Sequence, residues 1–156
     1  MAETTNRGFT LLELLVVVAI ISLLAVISLA FLGDSKDKGG DAGVKQALVN
    51  ARSQAEVYYA NNAGSYEGVC STGAARGIDK QVRAAARAYG ITPQEDYFDT
   101  AGDYDTEACH DSEDEYAVWV PLNDSTFAVP RGFCIDSHNI TRESSSPLGA
   151  GEFRCY

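Results

Sequence analysis

The chain has 156 residues, 46% of them hydrophobic, which is enough for one domain with a modest core and too few for two. Its 12 basic and 22 acidic residues give a formal net charge of -10, which argues against nucleic acid or an anionic membrane surface as the main partner of the fold. The hydrophobic residues are concentrated near the start of the chain, because residues 9–32 form an apolar run in which Glu13 is the only charged side chain.

The apolar run is long enough to cross a membrane. At about 1.5 Å per residue, a helix over residues 9–32 extends about 36 Å, and a hydrocarbon core is about 30 Å thick. Arg7 before the run and Lys36 and Lys38 after it do not settle its orientation. An even number of cysteines follows the run, as expected for two disulfides formed outside the cytoplasm: Cys70, Cys109, Cys134 and Cys155. The sequence therefore predicts a membrane helix followed by an exported domain.

A cleaved secretory signal peptide is the ordinary alternative for an apolar N-terminus. In residues 1–8 the charge of Glu3 cancels that of Arg7, so the basic start of a signal peptide is missing. The apolar run is also longer than the roughly 7 to 15 residues of a signal core. Residues 28–30, Ser-Leu-Ala, would be a passable cleavage site. A retained helix fits these features better.

The residues around the start of the run are Arg7-Gly8-Phe9-Thr10-Leu11-Leu12-Glu13. This order resembles the N-terminus of a bacterial type IV prepilin or type II secretion pseudopilin. The resemblance implies that a prepilin peptidase cuts on the cytoplasmic side after Gly8 and methylates Phe9, while the apolar helix is retained. It also implies an inner-membrane precursor, the inner-membrane assembly machinery as a partner, and polymerisation of identical subunits into a filament on the cell surface.

Glu13 is the fifth residue of the chain that such cleavage would leave. An ionised, unpaired carboxylate in lipid costs roughly 2.5 to 3.5 kcal/mol or more, and this cost marks it as a candidate functional residue. We expect its partner to be the free amine of Phe9 in another subunit. The alternative is a carboxylate that merely lies among the headgroups near the end of the helix.

Residues 33–43 combine four glycines with five charged residues. Glycine costs about 1 kcal/mol per helical residue relative to alanine, so we expect the helix to bend, thin or break there. Helical periodicity resumes at residue 44 and ends at the turn formers of residues 61–65. The stripe expected to face a core consists of Val44, Ala47, Leu48, Ala51, Ala55, Tyr58 and Tyr59.

A second amphipathic helix is predicted over residues 78–89, closed by Gly90. The basic face of this helix is interpreted as a solvated surface rather than a site for nucleic acid; it carries Lys80, Arg83 and Arg87. Residues 95–115 follow with ten carboxylates and no lysine or arginine. A solvated, poorly ordered acidic excursion is the first interpretation of this segment, and a calcium site is the alternative.

The rest of the chain has the pattern of strands. In residues 116–122, the side chains at 116, 118, 120 and 122 alternate with Ala117, Trp119 and Pro121. Residues 123–124 make a turn, and residues 126–129 and 133–136 continue as neighbouring strands. Pro121 and Pro130 lack amide donors, so we expect them near strand ends or at an edge. These strands predict a small antiparallel sheet.

Three pairings of the four cysteines are possible. We choose Cys134 with Cys155, because this bond fastens the Ser-, Gly- and Pro-rich segment 144–153 to a strand. We choose Cys70 with Cys109, because this bond anchors the acidic region to the end of the long helix. A disulfide-bounded C-terminal loop beside the sheet is similar to the arrangement in many pilins.

An enzyme is not predicted. The chain has two histidines, His110 and His138, with no pair at metal-ligand spacing and no Cys-x-x-Cys. The serines lack a nucleophile turn, so no catalytic residue is assigned. No metal ligand and no cofactor is assigned either, except for the alternative of a calcium site in residues 95–115.

The predicted domain organisation has three parts. Residues 1–8 form a cleaved leader, residues 9–32 the membrane and polymerisation half of a long helix, and residues 33–156 an exported head with the rest of that helix. The predicted fold is α+β, with the N-terminal spine helix packed on the sheet. The resemblance implies a structural subunit of a type IV pilus. The alternatives are a type II secretion pseudopilin and a membrane-anchored extracellular binding domain.

Overall fold

The computed structural model describes residues 9–94, 100–123 and 131–156. It contains two helices and a four-stranded antiparallel sheet with the strand order β1-β2-β3-β4. The fold is therefore α+β and pilin-like, as the sequence predicts. The elements are α1 (Leu11–Asn61), α2 (Asp79–Tyr89), β1 (Ala108–Asp111), β2 (Tyr116–Leu122), β3 (Arg131–Asp136) and β4 (Thr141–Ser144).

The chain divides into two compact units, Met1–Lys36 and Asp37–Tyr156. Helix α1 contributes to both. The first unit holds the apolar part of α1, and the second, the head, holds the rest of α1, helix α2, the sheet and both disulfides.

The second half of α1 buries the face that the sequence pattern predicts. Val44, Leu48, Ala51 and Ala55 are fully buried, and Ala47 and Tyr58 are partly buried against the same cluster. These positions recur at intervals of three and four residues, so they lie on one side of the helix. The prediction is wrong for Tyr59, which is 37% exposed and packs its ring against Tyr66 at the edge of the core. After Asn61 the chain turns with positive φ at Ala63 and Gly64, and the Gly64 N–H donates to the Tyr59 carbonyl at 3.1 Å.

The sequence predicts that the helix bends, thins or breaks in residues 33–43. The prediction of a break is wrong, because α1 continues without interruption from Leu11 to Asn61. Two of the glycines have a role in helix contact instead. A Cβ on Gly40 would lie 2.7 Å from the Ala88 carbonyl oxygen, and one on Gly43 would lie 2.9 Å from the Ala88 Cβ. These glycines therefore allow α2 to approach α1 closely, and the contact offsets their poor helix propensity.

Helix α2 lies where it is predicted. Its buried side chains are Val82, Ala85 and Ala86. Gly90 ends it in the left-handed conformation, with φ of 105°, and donates its N–H to the Ala86 carbonyl. A side chain at this φ would be strained, so glycine is the residue expected there.

The sheet is covered on both faces, since every residue of β2 is buried. One face packs on the helices and contributes Tyr116, Val118, Val120, Phe133 and Ile135 to the main core. The other face carries a smaller cluster of Ala108, Ala117, Trp119, Cys134, Leu148 and Cys155. Residues from the C-terminal segment thus complete the second layer of the head.

Two strands are additions to the prediction. Strand β1 lies within the segment expected to be a poorly ordered acidic excursion, so that expectation is wrong for Ala108–Asp111. Strand β4 pairs with β3 just before the segment expected to be a loop and overlaps that segment only at Ser144. Pro121 lies one residue before the end of β2, where a proline is expected. The strand predicted over residues 126–129, together with Pro130, falls outside the described residues.

Candidate functional site

Helix α1 begins with reciprocal hydrogen bonds between Thr10 and Glu13. The backbone N–H and the hydroxyl of Thr10 both donate to Oε2 of Glu13, each at 2.9 Å. The Glu13 N–H donates in return to Oγ1 of Thr10 at 3.2 Å. A threonine followed three residues later by glutamate forms a capping box, which satisfies donors that a helix N-terminus leaves free. Glu13 therefore has a partner within its own chain.

Thr10 is the residue of this site that the sequence reasoning missed. The signal was present, because the order Thr-x-x-Glu before an apolar run is the sequence signature of a capping box. The sequence interpretation weighed only a second subunit or the headgroups as partners of Glu13. The structure adds a local partner and leaves the other two as proposals.

The apolar part of α1 is exposed throughout. Leu11–Leu29 has a mean hydropathy of 2.9 and is 0% buried, so by length and composition it can cross a membrane. The hydroxyls of Ser22 and Ser28 donate to carbonyl oxygens four residues earlier, at 2.7 Å and 2.9 Å. In lipid, polar groups must be satisfied within the protein, and these two are.

The residues expected at the cleavage site are described only in part. Gly8 falls outside the described residues. Phe9 is 88% exposed, and Thr10 and Glu13 follow it on the first turn of the helix. Phe9 and Glu13, the residues assigned to assembly from the sequence, therefore lie at one end of the exposed apolar helix.

The four cysteines form the two pairs chosen from the sequence. Cys70 bonds to Cys109 with 5.9 Å between their Cα atoms, and Cys134 bonds to Cys155 with 5.7 Å. The first bond joins the segment between the helices to β1, and the second joins β3 to the end of the chain. Asp111 strengthens the first connection, because its carboxylate accepts the N–H groups of residues 68 and 70 at 2.8 Å.

Polar side chains also attach α1 to the sheet. Lys45 donates to Glu143 on β4 at 2.6 Å, and Arg52 donates to the Thr141 hydroxyl at 2.9 Å. The hydrogen bond from Lys45 holds the pKa of Glu143 below its usual value, and Arg131 adds to the effect. These contacts fix the head half of the helix to the strand at the sheet edge.

One carboxylate of the acidic region, residues 95–115, makes a buried structural contact. Glu107 is buried, and its Oε1 accepts the Gln94 N–H at 2.8 Å. Within the described residues, no three His, Cys, Asp or Glu side chains lie together in a way that could hold a metal ion. Residues 95–99, which carry three of the carboxylates, fall outside this statement.

The comparisons with known proteins identify the N-terminal segment. Residues 4–29 match the family model described as the prokaryotic N-terminal methylation motif. Neither the curated proteins nor the solved structures gave a match to the chain. The chain thus carries the prepilin-type signature of type IV pilins and pseudopilins, and the matched segment contains Phe9, the capping box and the apolar helix.

The motif supports a type IV pilin or a pseudopilin-type protein and does not distinguish the two. It implies processing by prepilin peptidase and assembly into filaments. Proteins marked by this motif are structural rather than enzymatic. The apolar helix and the motif fit a membrane-anchored precursor that later enters a surface filament.

Proposed function

We propose that this chain is a structural subunit of a type IV pilus. Prepilin peptidase cleaves it after Gly8 and methylates Phe9, and the mature subunit polymerises through the apolar part of α1. The observation that carries the proposal is the placement of Glu13: a carboxylate held by Thr10 at the start of an exposed, otherwise uncharged helix within the methylation motif.

The apolar helix supplies the driving force for polymerisation. While the subunit is in the bilayer, lipid covers the exposed side chains of residues 11–29, so neighbouring helices gain little by contact. Outside the membrane the same surface would meet water, at a cost of about 25 cal/mol per Å² of apolar area. Subunits leaving the membrane therefore bury their helices against one another.

Glu13 and Phe9 supply the register of the polymer. Cleavage gives Phe9 a charged amine, and in the helix bundle of a filament both groups are removed from water and lipid headgroups. In such surroundings opposite charges attract strongly, and either charge alone is left uncompensated. We propose that Glu13 exchanges part of its capping contact with Thr10 for the Phe9 amine of a neighbouring subunit.

A type II secretion pseudopilin is the second candidate, because the motif fits it equally. Two disulfides favour the pilus, since a subunit that works on the cell surface stays in an oxidising environment and gains from covalent closure of its head. The proposal assigns the chain no catalytic activity and no cofactor.

Processing is tested by mass spectrometry of the protein purified from membranes. We expect an N-terminal Phe9 carrying one methyl group and a chain lacking residues 1–8. A Gly8→Leu variant, matched in every other residue, should remain uncleaved and unmethylated. A native N-terminus near residue 31 would instead show a secretory signal peptide and end the proposal.

Electron microscopy with an antibody to the head separates the two candidates. A pilus subunit should label filaments that extend from the cell surface, and deletion of the gene should remove them. Deletion that leaves surface filaments intact but retains exported proteins inside the cell would favour the pseudopilin.

A further inference from the structure

The fully buried side chain of His110 connects three segments of the head. His110 lies on β1, and its Nδ1 is 2.7 Å from the carbonyl oxygen of Glu152 in the C-terminal segment, residues 145–156. Its Nε2 is 2.8 Å from the carbonyl oxygen of Thr100, before β1. One imidazole therefore joins the sheet, the segment that precedes it and the end of the chain.

Both partners of this ring are backbone carbonyls, which can only accept hydrogen bonds. A neutral imidazole has one N–H and one nitrogen lone pair, so it can donate to only one of the two oxygens. Its other nitrogen would face an oxygen lone pair at hydrogen-bond distance in a site closed to bulk solvent, which is costly. The imidazolium has two N–H groups and satisfies both oxygens. We propose that His110 is a proton-binding latch, whose charged ring holds the C-terminal segment on the sheet and whose deprotonation releases it.

A buried carboxylate on the same face complements the ring. His110 pairs across the strands with Ala117, and Ala117 pairs with Asp136, so the three form one row over β1, β2 and β3. Two strand spacings separate the charged side chains by about 10 Å. Asp136 is 1% exposed and accepts the Cys155 N–H at 3.0 Å, so it also holds the C-terminal segment.

Within the described part of the chain, Glu107 is a second buried carboxylate near His110, and it accepts the Gln94 N–H at 2.8 Å. The remaining charged groups on the surrounding elements are at least partly exposed. Glu152 is exposed and its carboxylate accepts the Gly149 N–H at 2.7 Å. The side chain of Asp111, on β1 beside His110, points to the opposite face, where it binds the amides of residues 68 and 70. Solvent screens the exposed charges; they are Asp103, His138, Glu152 and Arg154, with Glu115 half-buried.

Release of the latch would uncover a distinct surface. Leu148 and Cys155 of the C-terminal segment belong to the same buried cluster as Trp119 on the second face of the sheet, and Trp119 is the only tryptophan of the chain. The Cys134–Cys155 bond keeps the segment attached when the ring loses its proton. The expected response is thus a local opening at higher pH, reported by Trp119, without loss of the main core.

The direct test is a titration of the full-length, processed protein in detergent. The ring nitrogens of His110 are followed by ¹⁵N NMR, and the amide of Cys155 by hydrogen exchange corrected for intrinsic rates, as the pH is raised until the ring loses a proton. We expect two ring protons while the segment is docked. As the ring loses one, Cys155 protection should fall by at least about tenfold and Trp119 emission should shift to longer wavelength.

The two histidines of the chain provide a matched control. His138 also touches the C-terminal segment, because its Nε2 lies 3.1 Å from Nη2 of Arg154, so His138→Gln tests whether this surface contact holds the segment. That variant should keep the transition, whereas His110→Gln should remove it and leave the segment loosely held at every pH. If His110→Gln fails to fold, the titration of the wild-type protein still tests whether deprotonation of the ring releases the C-terminal segment. A ring carrying one proton while the segment is docked, or Cys155 protection that stays constant when the ring deprotonates, would overturn the latch.

Discussion

Replacing Glu13 by leucine distinguishes the two roles that its carboxylate can have. In an isolated subunit the change removes a polar group from the membrane helix, so insertion should be unchanged or improved, by up to roughly 2.5 to 3.5 kcal/mol. In a filament it leaves the Phe9 amine buried without a partner, at a cost of about 3 to 5 kcal/mol. We expect a processed, membrane-inserted monomer that is absent from the sheared filament fraction, measured by immunoblot.

The capping box requires its own control, because Glu13→Leu also removes the cap. Thr10→Val keeps the size of the side chain and the carboxylate of Glu13 but removes the hydroxyl, which should weaken the helix start by about 1 kcal/mol. Filaments should still form in Thr10→Val and in Thr10→Ser. If Glu13→Leu assembles wild-type numbers of filaments, the charge pair is wrong.

Glu143 gives a pH-dependent contribution to the stability of the head. Its pKa is lowered in the folded protein, so its stabilising contribution is complete above the unfolded value of about 4.3 and is lost as the pH falls through the folded value. The pair with Lys45 is partly exposed, so Glu143→Gln should cost about 0.2 to 1 kcal/mol at neutral pH. The difference from wild type should disappear in acid, as followed by urea unfolding at several pH values.

Glu113→Gln is the matched control for this measurement. Glu113 is exposed, and within the described residues its carboxylate has no ion pair. Its substitution should change stability little at any pH. An effect of Glu143→Gln that persists unchanged in acid would mean that packing, and not the ion pair, is responsible.

At the residue scale, the disulfide pairing could be predicted from the sequence, whereas the buried polar contacts could not. The cysteine pairing could be chosen because each bond closes a recognisable segment. The hydrogen-bond partners of His110 and Asp136 could not be predicted in this way, because those contacts form only after the C-terminal segment folds over the sheet. Such long-range polar contacts leave no periodic signal in the sequence.

At the element scale, the glycines of α1 provide a test of helix contact. Gly40→Ala places a methyl group 2.7 Å from the Ala88 carbonyl oxygen, so α2 must move, and we expect a loss of about 1 to 3 kcal/mol. Gly39→Ala is the control, because nothing lies within 4 Å of the added Cβ. That variant should gain up to about 1 kcal/mol from helix propensity alone. Thermal unfolding followed by circular dichroism measures both, and equal effects would contradict the contact.

The elements that the sequence predicted are those with a strong apolar pattern. Helix α2 carries an apolar pattern at three- and four-residue intervals, β2 is a run of seven apolar residues, and β3 contains the apolar residues 133–135. Strands β1 and β4 have four residues each and contain charged or polar side chains, so their sequences show no strand pattern. Pairing with β2 and β3 defines them, which is a tertiary effect that local propensity does not contain. The break expected within residues 33–43 does not occur, for the related reason that contact with α2 outweighs glycine propensity.

At the scale of the whole molecule, function and stability are assigned to different units. The described core residues and both disulfides all lie within Asp37–Tyr156, whereas the exposed apolar surface lies within Met1–Lys36. In the proposed function, membrane insertion and polymerisation depend on side chains that contribute nothing to the described core of the head. This separation allows a subunit to exchange lipid for neighbouring helices while its head stays folded.

A chain beginning at Asp37 tests this separation. Asp37 favours a helix start, since a carboxylate near a helix N-terminus interacts well with the free amides. We expect the truncated protein to be a soluble monomer with both disulfides, to unfold within a few degrees of the full-length protein in detergent, and to be excluded from filaments when co-expressed with it. The same truncation with Cys134→Ser and Cys155→Ser serves as a destabilised reference, about 3 kcal/mol less stable in the chain-entropy picture. Calorimetry and size-exclusion chromatography give the readouts. A truncated head that aggregates, or that folds only in detergent, would show that the apolar helix is needed for the fold itself, and the assignment of that helix to insertion and assembly alone would be wrong.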